Sequence, residues 1–345
     1  MGDKKKGKKQ VGKQKKERGM EGASRDSAAQ GPQDAVPVRD SAEDAPAASD
    51  LHQPCGNQIT AVHPGALRIP SSLRCSVAAL EHELLKAFPA QDAEPWDRTG
   101  LVVGDPSQAV EGIAIALDAT VEAVRIAAEC GANVLITHHP AFLDPPVSLC
   151  PFESDRYGSG AVVWEAVSRK VALIDFHTAL DKSPAAARVL PGMLGMELQD
   201  IVDVVDMRSG KGYGQLCRMH ADDEPLSLKQ LAARCMAVFA RPARVWGNEN
   251  HRLESVVTCT GSAGDLSKIC VERGFDCLIC GEIRYHDALA AKEAGLAVIE
   301  LGHDASELPL CALLAATVGK LGFPEESIKM IDQGSNWSTP EAIRK

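Results

Sequence analysis

Two stretches of the chain repeat the same order of short apolar runs and helical patterns. In 112–181 the run "GIAIALDA" precedes the helical pattern "TVEAVRIAAECG", and the runs "NVLIT" and "VALIDF" follow with a helix between them. In 254–307 the runs "ESVVTCT", "DCLIC" and "AVIEL" alternate with helical segments in the same way. Strands that alternate with helices form parallel sheets through right-handed crossovers. The pattern therefore predicts an α/β fold with mainly parallel sheets and an internal duplication, in which "KVALIDFHTALD" matches "LAVIELGHDASE".

The N-terminal part differs from the rest in composition. The first 20 residues carry nine Lys and Arg against two acidic residues, a net of +7, so the remaining 325 residues of this −10 chain carry −17. Bulky aliphatic residues are scarce from there to about Ser72, which is typical of disordered segments. We predict a disordered tail over 1–74, a first α/β half over 75–189, an irregular middle module over 190–250, a second α/β half over 251–337 and a C-terminal end over 338–345.

Charge and cysteine usage indicate the compartment. The basic N-terminus is not followed by an apolar signal core, and no stretch approaches the roughly 18 apolar residues of a membrane span. Eleven scattered cysteines suit a reducing compartment better than a disulfide framework. We expect a cytoplasmic protein without a membrane contact. The lysine-rich arm could serve as a nuclear address or as a weak, non-specific nucleic-acid contact, and the alternative is a solvated tail.

Polar residues follow the predicted strands in both repeats. In the first they are Asp118, His138, His139, His177 and Asp181, and in the second Glu282, His303 and Glu307. Ligands bind at the carboxyl ends of the strands in open parallel sheets. Each His–carboxylate pair, His177 with Asp181 and His303 with Glu307, is spaced by four residues and can share one face of a helical turn. Pro140 favours an extended backbone at His139.

These residues offer neutral nitrogen and anionic oxygen donors from both repeats. The set suits Zn²⁺, Mn²⁺ or Fe²⁺ and is too rich in nitrogen for Ca²⁺ or Mg²⁺ alone. Five or six donors, with one carboxylate able to bridge, are enough for two ions. The alternative is that each histidine is an ordinary hydrogen-bonded strand end. Three such segments at equivalent sheet positions favour the metal site.

Other motifs carry less. Cys277 and Cys280 lie inside "FDCLICGE" without a second pair to complete a zinc site, so we predict that both are core residues. "GKGYG" at 210–214 lacks the Lys-Ser/Thr ending of a P-loop. "TGSAGD" at 260–265 either offers backbone amides to an anion or forms a tight turn.

Six segments in order make the chain similar to the Nif-three-like family, the NGG-one-interacting factor three proteins, whose bacterial members are often labelled GTP cyclohydrolase 1 type 2 homologues. The segments are "WDRTGLVVGD" (96–105), "ALDAT" (116–120), "ITHHP" (136–140), "HTALD" (177–181), "GEIRYHDAL" (281–289) and "ELGHDASE" (300–307). The resemblance spans about 77–335. It implies two pseudo-symmetric, interlinked α/β halves with a dinuclear metal site between them, and commonly a ring-shaped homo-oligomer such as a hexamer.

Carried over residue by residue, the resemblance implies the metal ligands His138, His139, Asp181, His303 and Glu307, with His177 beside the metals. Three residues depart from the family pattern: Arg98 and Ala179 stand where asparagine is usual, and Asp304 stands where an aromatic is usual. All three bear on substrate preference.

Two functions remain open. The first is a metal-dependent hydrolase that acts on a small nucleotide-like or phosphorylated substrate through a metal-activated water, with His177 or His286 moving a proton. The second is a non-catalytic, metal-containing regulatory scaffold that binds a protein partner.

Overall fold

The computed structural model describes residues 67, 74–153, 158–206, 210–219, 225–334 and 336–337. Apart from Leu67 and Arg74, the predicted disordered tail lies outside these residues, and so does the predicted end at 338–345. The described helices are α1 (Val77–Ala87), α2 (Val121–Glu129), α3 (Ser159–Arg169), α4 (Thr178–Asp181), α5 (Val189–Met193), α6 (Leu228–Phe239), α7 (Leu266–Glu272), α8 (Tyr285–Glu293) and α9 (His303–Lys320).

The strands form two sheets. The first sheet has the order β1 (Thr99–Val103), β4 (Ala172–Phe176), β3 (Val134–Thr137), β2 (Ile113–Ala116) and β11 (Ile328–Met330). The second has the order β5 (Met196–Asp206), β6 (Lys211–Met219), β8 (Val256–Thr258), β9 (Cys277–Cys280), β10 (Ala297–Glu300) and β7 (Arg244–Trp246). The fold is mixed α/β, with helices and strands interleaved along the chain.

The first sheet is mainly parallel, as predicted. Strands β4, β3, β2 and β11 run parallel, and only β1 pairs antiparallel at the edge. Alternate residues of a strand point to opposite sides of the sheet, and all residues of β2, β3 and β4 are buried. Both faces of the sheet are therefore covered. On β2, Ile113 and Ile115 pack with α1 and α9, whereas Ala114 and Ala116 pack with α2 and α3.

The second sheet is half antiparallel. Only β8, β9 and β10 run parallel, whereas β5, β6 and β7 pair antiparallel. On β9, Cys277 points to the face covered by α5 and α6, and Cys280 points to the face covered by α7 and α8. Since both cysteines are buried and free on opposite faces, the prediction that they are core residues is confirmed.

The segment 190–250 is more regular than predicted. Instead of an irregular module, it contains α5, the β5–β6 hairpin, α6 and β7, and the hairpin extends the second sheet through β6 and β8. The hairpin strands are partly exposed and antiparallel, so they lack the continuous apolar runs of the parallel strands. The domain boundaries themselves stay a prediction.

The two halves share one order of elements. The series α1, β1, β2, α2, β3, α3, β4 in the first half corresponds to α6, β7, β8, α7, β9, α8, β10 in the second. Even the helix starts agree, since Ser76 caps α1 and bridges Ala109, whereas Ser227 caps α6 and bridges Arg252. The predicted duplication is therefore present in the topology.

The register corrects one detail of that duplication. Thr137 pairs with Asp175 on the first sheet and Cys280 pairs with Glu300 on the second, so Asp175 corresponds to Glu300. His303 then lies one residue further along than His177, because Gly302 adds a turn residue with a φ of 101° before α9.

The last helix interlinks the halves. Helix α9 begins at the carboxyl end of β10, yet Leu310, Cys311, Leu314 and Val318 pack into the core of the first sheet, and β11 then joins that sheet. The start of α9 therefore lies where the carboxyl ends of the parallel strands of both sheets meet. Among the described residues, no helix is long and apolar enough to cross a membrane.

Candidate metal centre

The first two predicted ligands lie at the carboxyl end of β3. All four residues of β3 are buried, and pairing with β2 continues beyond the strand, since the His139 backbone N–H donates to the Leu117 carbonyl at 2.9 Å. His138 is fully buried and His139 is partly buried, with their ring centroids 5.0 Å apart. The strand thus delivers both imidazoles to one point of the sheet edge.

His177 and Asp181 occupy the turn that follows β4. His177 precedes α4, and Asp181 is the last residue of this single helical turn. The carboxylate of Asp97 fixes the turn, because it accepts from His177 Nδ1 at 3.0 Å and from the Thr178 backbone N–H at 2.9 Å. Burial opposes ionisation of Asp97, but the bonds from His177 and Thr178 outweigh it and lower its pKa. The sequence motif "WDRTGLVVGD" contained Asp97, although no role was predicted for it.

His303 and Glu307 stand one turn apart at the start of α9. His303 Nε2 lies 3.1 Å from Glu307 Oε2, as the four-residue spacing predicts. The Glu307 side chain is only 4% exposed. Because the following turns of α9 pack on the first sheet, Glu307 faces the histidines of β3 although it comes from the second half.

The carboxylate of Glu307 lies at the middle of the cluster. Its Oε2 is 2.9 Å from His139 Nε2, and its Oε1 is 3.6 Å from His138 Nε2. His138 Nε2 is in turn 3.6 Å from Asp181 Oδ1. The ligand-type atoms form three overlapping groups, and within each group all atoms lie within 4.8 Å of one another. The groups are His138, His139 and His177; His139, His303 and Glu307; and His138, Asp181 and Glu307. All five predicted metal ligands, together with His177, thus converge at one place.

The second ring nitrogen of each histidine has its own partner. Nδ1 of His138 lies 3.0 Å from the Phe176 carbonyl, Nδ1 of His139 lies 2.7 Å from Asp118 Oδ1, and Nδ1 of His303 lies 3.2 Å from Glu282 Oε1. An acceptor at Nδ1 fixes the tautomer and leaves Nε2 as the ligand atom, the usual arrangement around a protein-bound metal. Asp118 and Glu282, which the sequence placed at strand ends, thus orient the His139 and His303 rings.

Three buried atoms of the cluster have no hydrogen-bond partner among the described residues. They are His138 Nε2, His139 Nε2 and Glu307 Oε2, whose mutual approaches lack hydrogen-bond geometry. Buried polar atoms without a partner are costly and rare in native structures. Imidazole nitrogen and carboxylate oxygen are ligands of borderline divalent ions, so the residues present fit a metal.

The protonation equilibria reflect the same crowding of carboxylates. Burial lowers the pKa of His139, but the carboxylates of Asp118 and Glu307 outweigh it and raise the pKa to about 10. The nearby carboxylate of Glu307 raises the pKa of His303 to about 9 against the opposing effect of burial. Burial opposes ionisation of Glu307, yet the three histidines hold its pKa well below its usual range. The cluster therefore attracts positive charge, which a divalent ion can supply in place of protons.

Close backbone approach brings the second half against the site. A Cβ added at Gly261, whose φ is 60°, would lie 2.2 Å from Glu307 Oε1. In the segment "TGSAGD" the Gly261 N–H donates to Ser306 Oγ and the Ala263 N–H donates to the Glu282 carbonyl. Of the two interpretations of this segment, the structure favours the tight turn, because these amides are used inside the protein.

The predicted proton carrier His286 does not join the cluster. It is an exposed residue of α8 whose ring contacts Tyr285, with centroids 5.3 Å apart. Because His286 faces solvent at the start of α8, the structure does not support a role for it at the metal centre of its own chain. His177, by contrast, has its ring centroid 5.3 Å from that of His138 and 5.6 Å from that of His139.

The three residues that depart from the family pattern lie around the site. Nε of Arg98 donates to the Leu143 carbonyl at 3.0 Å, and Ala179 is buried in α4. Asp304 accepts from Arg241 Nη1 at 2.7 Å, and the Arg241 guanidinium lies over the Trp337 ring.

A cavity of 680 Å³ opens beside the cluster. Its lining includes His139 and His303, strand-end carboxylates, Arg244 and Trp337. A cavity of this size accommodates a small-molecule ligand.

The chain is thus an α/β protein with two sheets that meet at a buried His/Asp/Glu cluster, a potential metal centre. The family model described as Duf34/NIF3 (NGG1p interacting factor 3) matches residues 75–333, and the chain belongs to this family. The resemblance predicted from the six motifs is thereby confirmed.

Relatives and solved structures agree with this assignment. The chain is 30% identical over 243 residues to a GTP cyclohydrolase 1 type 2 homolog of Streptomyces coelicolor, covering 68% of this chain and 82% of the relative. A GTP cyclohydrolase 1 type 2 homolog of Clostridium acetobutylicum is 28% identical, covering 64% and 81%. A hypothetical protein of Staphylococcus aureus matches the fold with a TM-score of 0.67 at 24% identity, covering 77% and 99% of the two chains.

Proposed function

We propose that this protein is a metal-dependent hydrolase that holds two divalent ions and acts on a small nucleotide-like or phosphorylated substrate. The observation that carries the proposal is the set of three buried, unpartnered ligand atoms at the meeting point of the sheets. His138, Asp181 and Glu307 would hold one ion, and His139, His303 and Glu307 would hold the other. The donor set suits Zn²⁺, Mn²⁺ or Fe²⁺.

The chemistry divides between the ions and the chain. Bound divalent ions lower the pKa of a coordinated water towards about 7 and polarise substrate oxygens. His177 is the proton carrier, since Asp97 holds its Nδ1 and a ring nitrogen of His177 lies within 4.8 Å of ligand-type atoms of His138 and His139. The cavity beside His139 and His303 supplies the room for a substrate. The name of the Streptomyces relative, which contains "GTP cyclohydrolase", favours a nucleotide among the candidates.

A matched pair of histidine variants tests this proposal. Metal-loaded wild-type protein is assayed on nucleotides, phosphoesters and cyclic amides, and then compared with His177→Gln and His286→Gln. Removing a positioned proton carrier lowers kcat by about 10² to 10⁴, so His177→Gln should lose turnover and keep its metal. His286→Gln makes the same chemical change on the exposed face of α8 and should leave kcat unchanged. An absence of metal-dependent turnover across the panel would sink the hydrolase.

The alternative is a metal-containing scaffold that binds a protein partner. The family description, NGG1p interacting factor 3, favours this candidate because it records an interaction. Under this alternative, His177→Gln would leave the fold and partner binding intact, and pull-down of a partner from the source cell would measure it.

Assembly and location are further proposals. We propose a homo-oligomer, in the form of a ring such as a hexamer, in the cytoplasm. Light scattering gives the mass of the particle, and fractionation gives its compartment. Weak nucleic-acid contact and nuclear entry through the lysine-rich N-terminus are tested by removing the first 20 residues.

A further inference from the structure

The cavity beside the metal centre is also lined by a cation, Arg244. Strand β7 pairs antiparallel with β10, so Arg244 stands opposite Glu300 at the carboxyl end of β10. Both residues line the same cavity as His139 and His303. The Arg244 side chain is 69% exposed, although it lies at the edge of a folded sheet.

The contacts that the described residues make with the Arg244 guanidinium are all at one nitrogen. Nη1 donates to both oxygens of Glu300, at 3.3 and 3.2 Å. Within the part of the chain that the structure describes, Nε and Nη2 have no partner. These two nitrogens point the same way and form the parallel pair of donors that matches two oxygens of a phosphate or carboxylate.

The contact to Glu300 holds the guanidinium in place. Glu300 is buried, with a side chain only 8% exposed, and it also accepts from Trp246 Nε1 at 2.7 Å. Trp246 is on the same strand as Arg244. A buried carboxylate that is tied to two positions of β7 restricts the rotamers of Arg244, and thus lowers the entropy cost of binding a ligand.

The other carboxylates of the cavity do not compete for this fork. Asp304 bonds Arg241, Asp118 lies at His139 Nδ1, and Glu282 lies at His303 Nδ1. Each therefore has a partner of its own. The remaining walls include the exposed Trp337 and the apolar Leu117, Pro242 and Ile283.

We infer that Arg244 binds an oxyanion group of the substrate, a phosphate or a carboxylate, while the reacting part of the substrate lies at the metal centre. The inference rests on the proposed function for the second half of that statement, but the binding of the oxyanion does not require turnover. Arg244 is thus a specificity-determining residue, and the substrate is a small molecule with an anionic end.

Three ligands with one base test the inference. Guanosine, guanosine 5′-monophosphate and guanosine 5′-carboxylic acid differ only at the 5′ position, and calorimetry on the metal-loaded full chain gives Kd for each. A charge-assisted pair of hydrogen bonds corresponds to about a tenfold to hundredfold change in Kd. The wild type should therefore bind at least one anionic ligand about tenfold to hundredfold more tightly than guanosine, and the ratio between the two anions separates phosphate from carboxylate.

Variants locate the effect. Arg244→Gln should remove the preference for the anionic ligand and leave the guanosine affinity and the metal content unchanged. Arg244→Lys keeps a cation beside Glu300 but lacks the fork, so it should restore only part of the preference. Lys292→Gln, which removes a cation on the exposed side of α8, should change none of these values.

The outcomes separate this inference from the proposed function. If Arg244→Gln keeps the full preference, or if the wild type binds no anionic ligand more tightly than guanosine, the inference is wrong. If the preference depends on Arg244 and no substrate is turned over, the inference stands and the hydrolase fails. If turnover is found and is insensitive to Arg244→Gln for anionic substrates, the hydrolase stands and the inference fails.

Discussion

The two sheets follow one order of elements but treat a buried carboxylate in opposite ways. Asp175 and Glu300 occupy equivalent positions by register, at the carboxyl ends of β4 and β10. Among the described residues, Asp175 has no cationic partner: it contacts the Thr137 hydroxyl at 2.8 Å and accepts from the Ala141 N–H at 3.3 Å. Glu300 is paired with Arg244 and Trp246. The first site suits a neutral acid, and the second suits an ion.

The difference extends to what each half contributes to the metal centre. The first half contributes adjacent histidines from β3 and a carboxylate from the short α4, whereas β9 ends in Gly281 and Glu282 at the equivalent place. The second half instead contributes His303 and Glu307 from the long α9. A duplicated fold can thus form one asymmetric site, because the edges of its two sheets carry different residues.

The largest expected effect follows from the asymmetric use of carboxylates. Each oxygen of Glu307 faces a different group of ligands, but Asp181 belongs to only one group. Wild type should contain about two ions per chain, Glu307→Gln should contain almost none, and Asp181→Asn should retain about one. Elemental mass spectrometry on purified protein measures this, with the exposed Glu293→Gln as control. Metal-free wild type from metal-replete cells, with a variant that folds equally well, would make these residues ordinary polar strand ends.

The second prediction concerns how the stability of the protein depends on pH through Asp175. Burial raises the pKa of Asp175 to about 7, above the usual 3.8. The unfolded chain ionises first as pH rises, so wild type loses stability between about pH 4 and pH 7, by up to about 4 kcal/mol. Asp175→Asn, which can donate to Thr137 and accept from Ala141, should remove this loss. Urea unfolding at pH 5 and pH 8 measures it.

The matched change on the second sheet has the opposite sign. Glu300→Gln gives up an ion pair with an exposed arginine, so it should destabilise the protein at pH 8 by about 1 kcal/mol. If both amide variants changed stability in the same direction at pH 8, the distinction between a carboxyl that burial keeps from ionising and one that pairs with an arginine would be wrong.

The third prediction concerns the close approach of the second half to Glu307. Gly261→Ala combines a positive φ with a Cβ 2.2 Å from Glu307 Oε1, and should cost about 3 kcal/mol. Gly264→Ala has a similar φ of 51° with open space around the new Cβ, and should cost about 1 kcal/mol. Denaturant titration of the metal-free chain compares the two. Equal costs would show that backbone conformation alone determines both effects.

The sequence predicted the parts of the molecule in which local pattern and fold agree. Continuous apolar runs identified β2, β3 and β4, and polar residues at their ends identified His138, His139 and Asp181. The hairpin of β5 and β6 escaped notice because its strands are partly exposed and mix polar residues and glycines with apolar ones. The packing of α9 across both halves also has no local signal, since it depends on long-range contacts of Leu310 and Leu314.

Side-chain pairing was the least predictable level. His286 lies in a family-like motif, but the motif does not show which face of α8 is covered. In the structure His286 faces solvent. The roles of Asp97 and Arg244 depend on contacts with residues 80 and 56 positions away. Such pairs can be found only when the register of the strands is known.

The smallest expected change in stability comes from a substitution that makes the start of α1 more like the start of α6. Ser227 and Gln230 form a complete capping box on α6, whereas Ser76 on α1 has the exposed Ala79 at the corresponding third position. Ala79→Gln should therefore allow the new side chain to accept from the Ser76 N–H and stabilise the protein by about 0.5 kcal/mol. Ala79→Met has a similar helix propensity without an acceptor, and should give no gain. Unfolding free energies of the two variants measure the difference, and equal values would show that the Ser76 N–H is already satisfied by solvent.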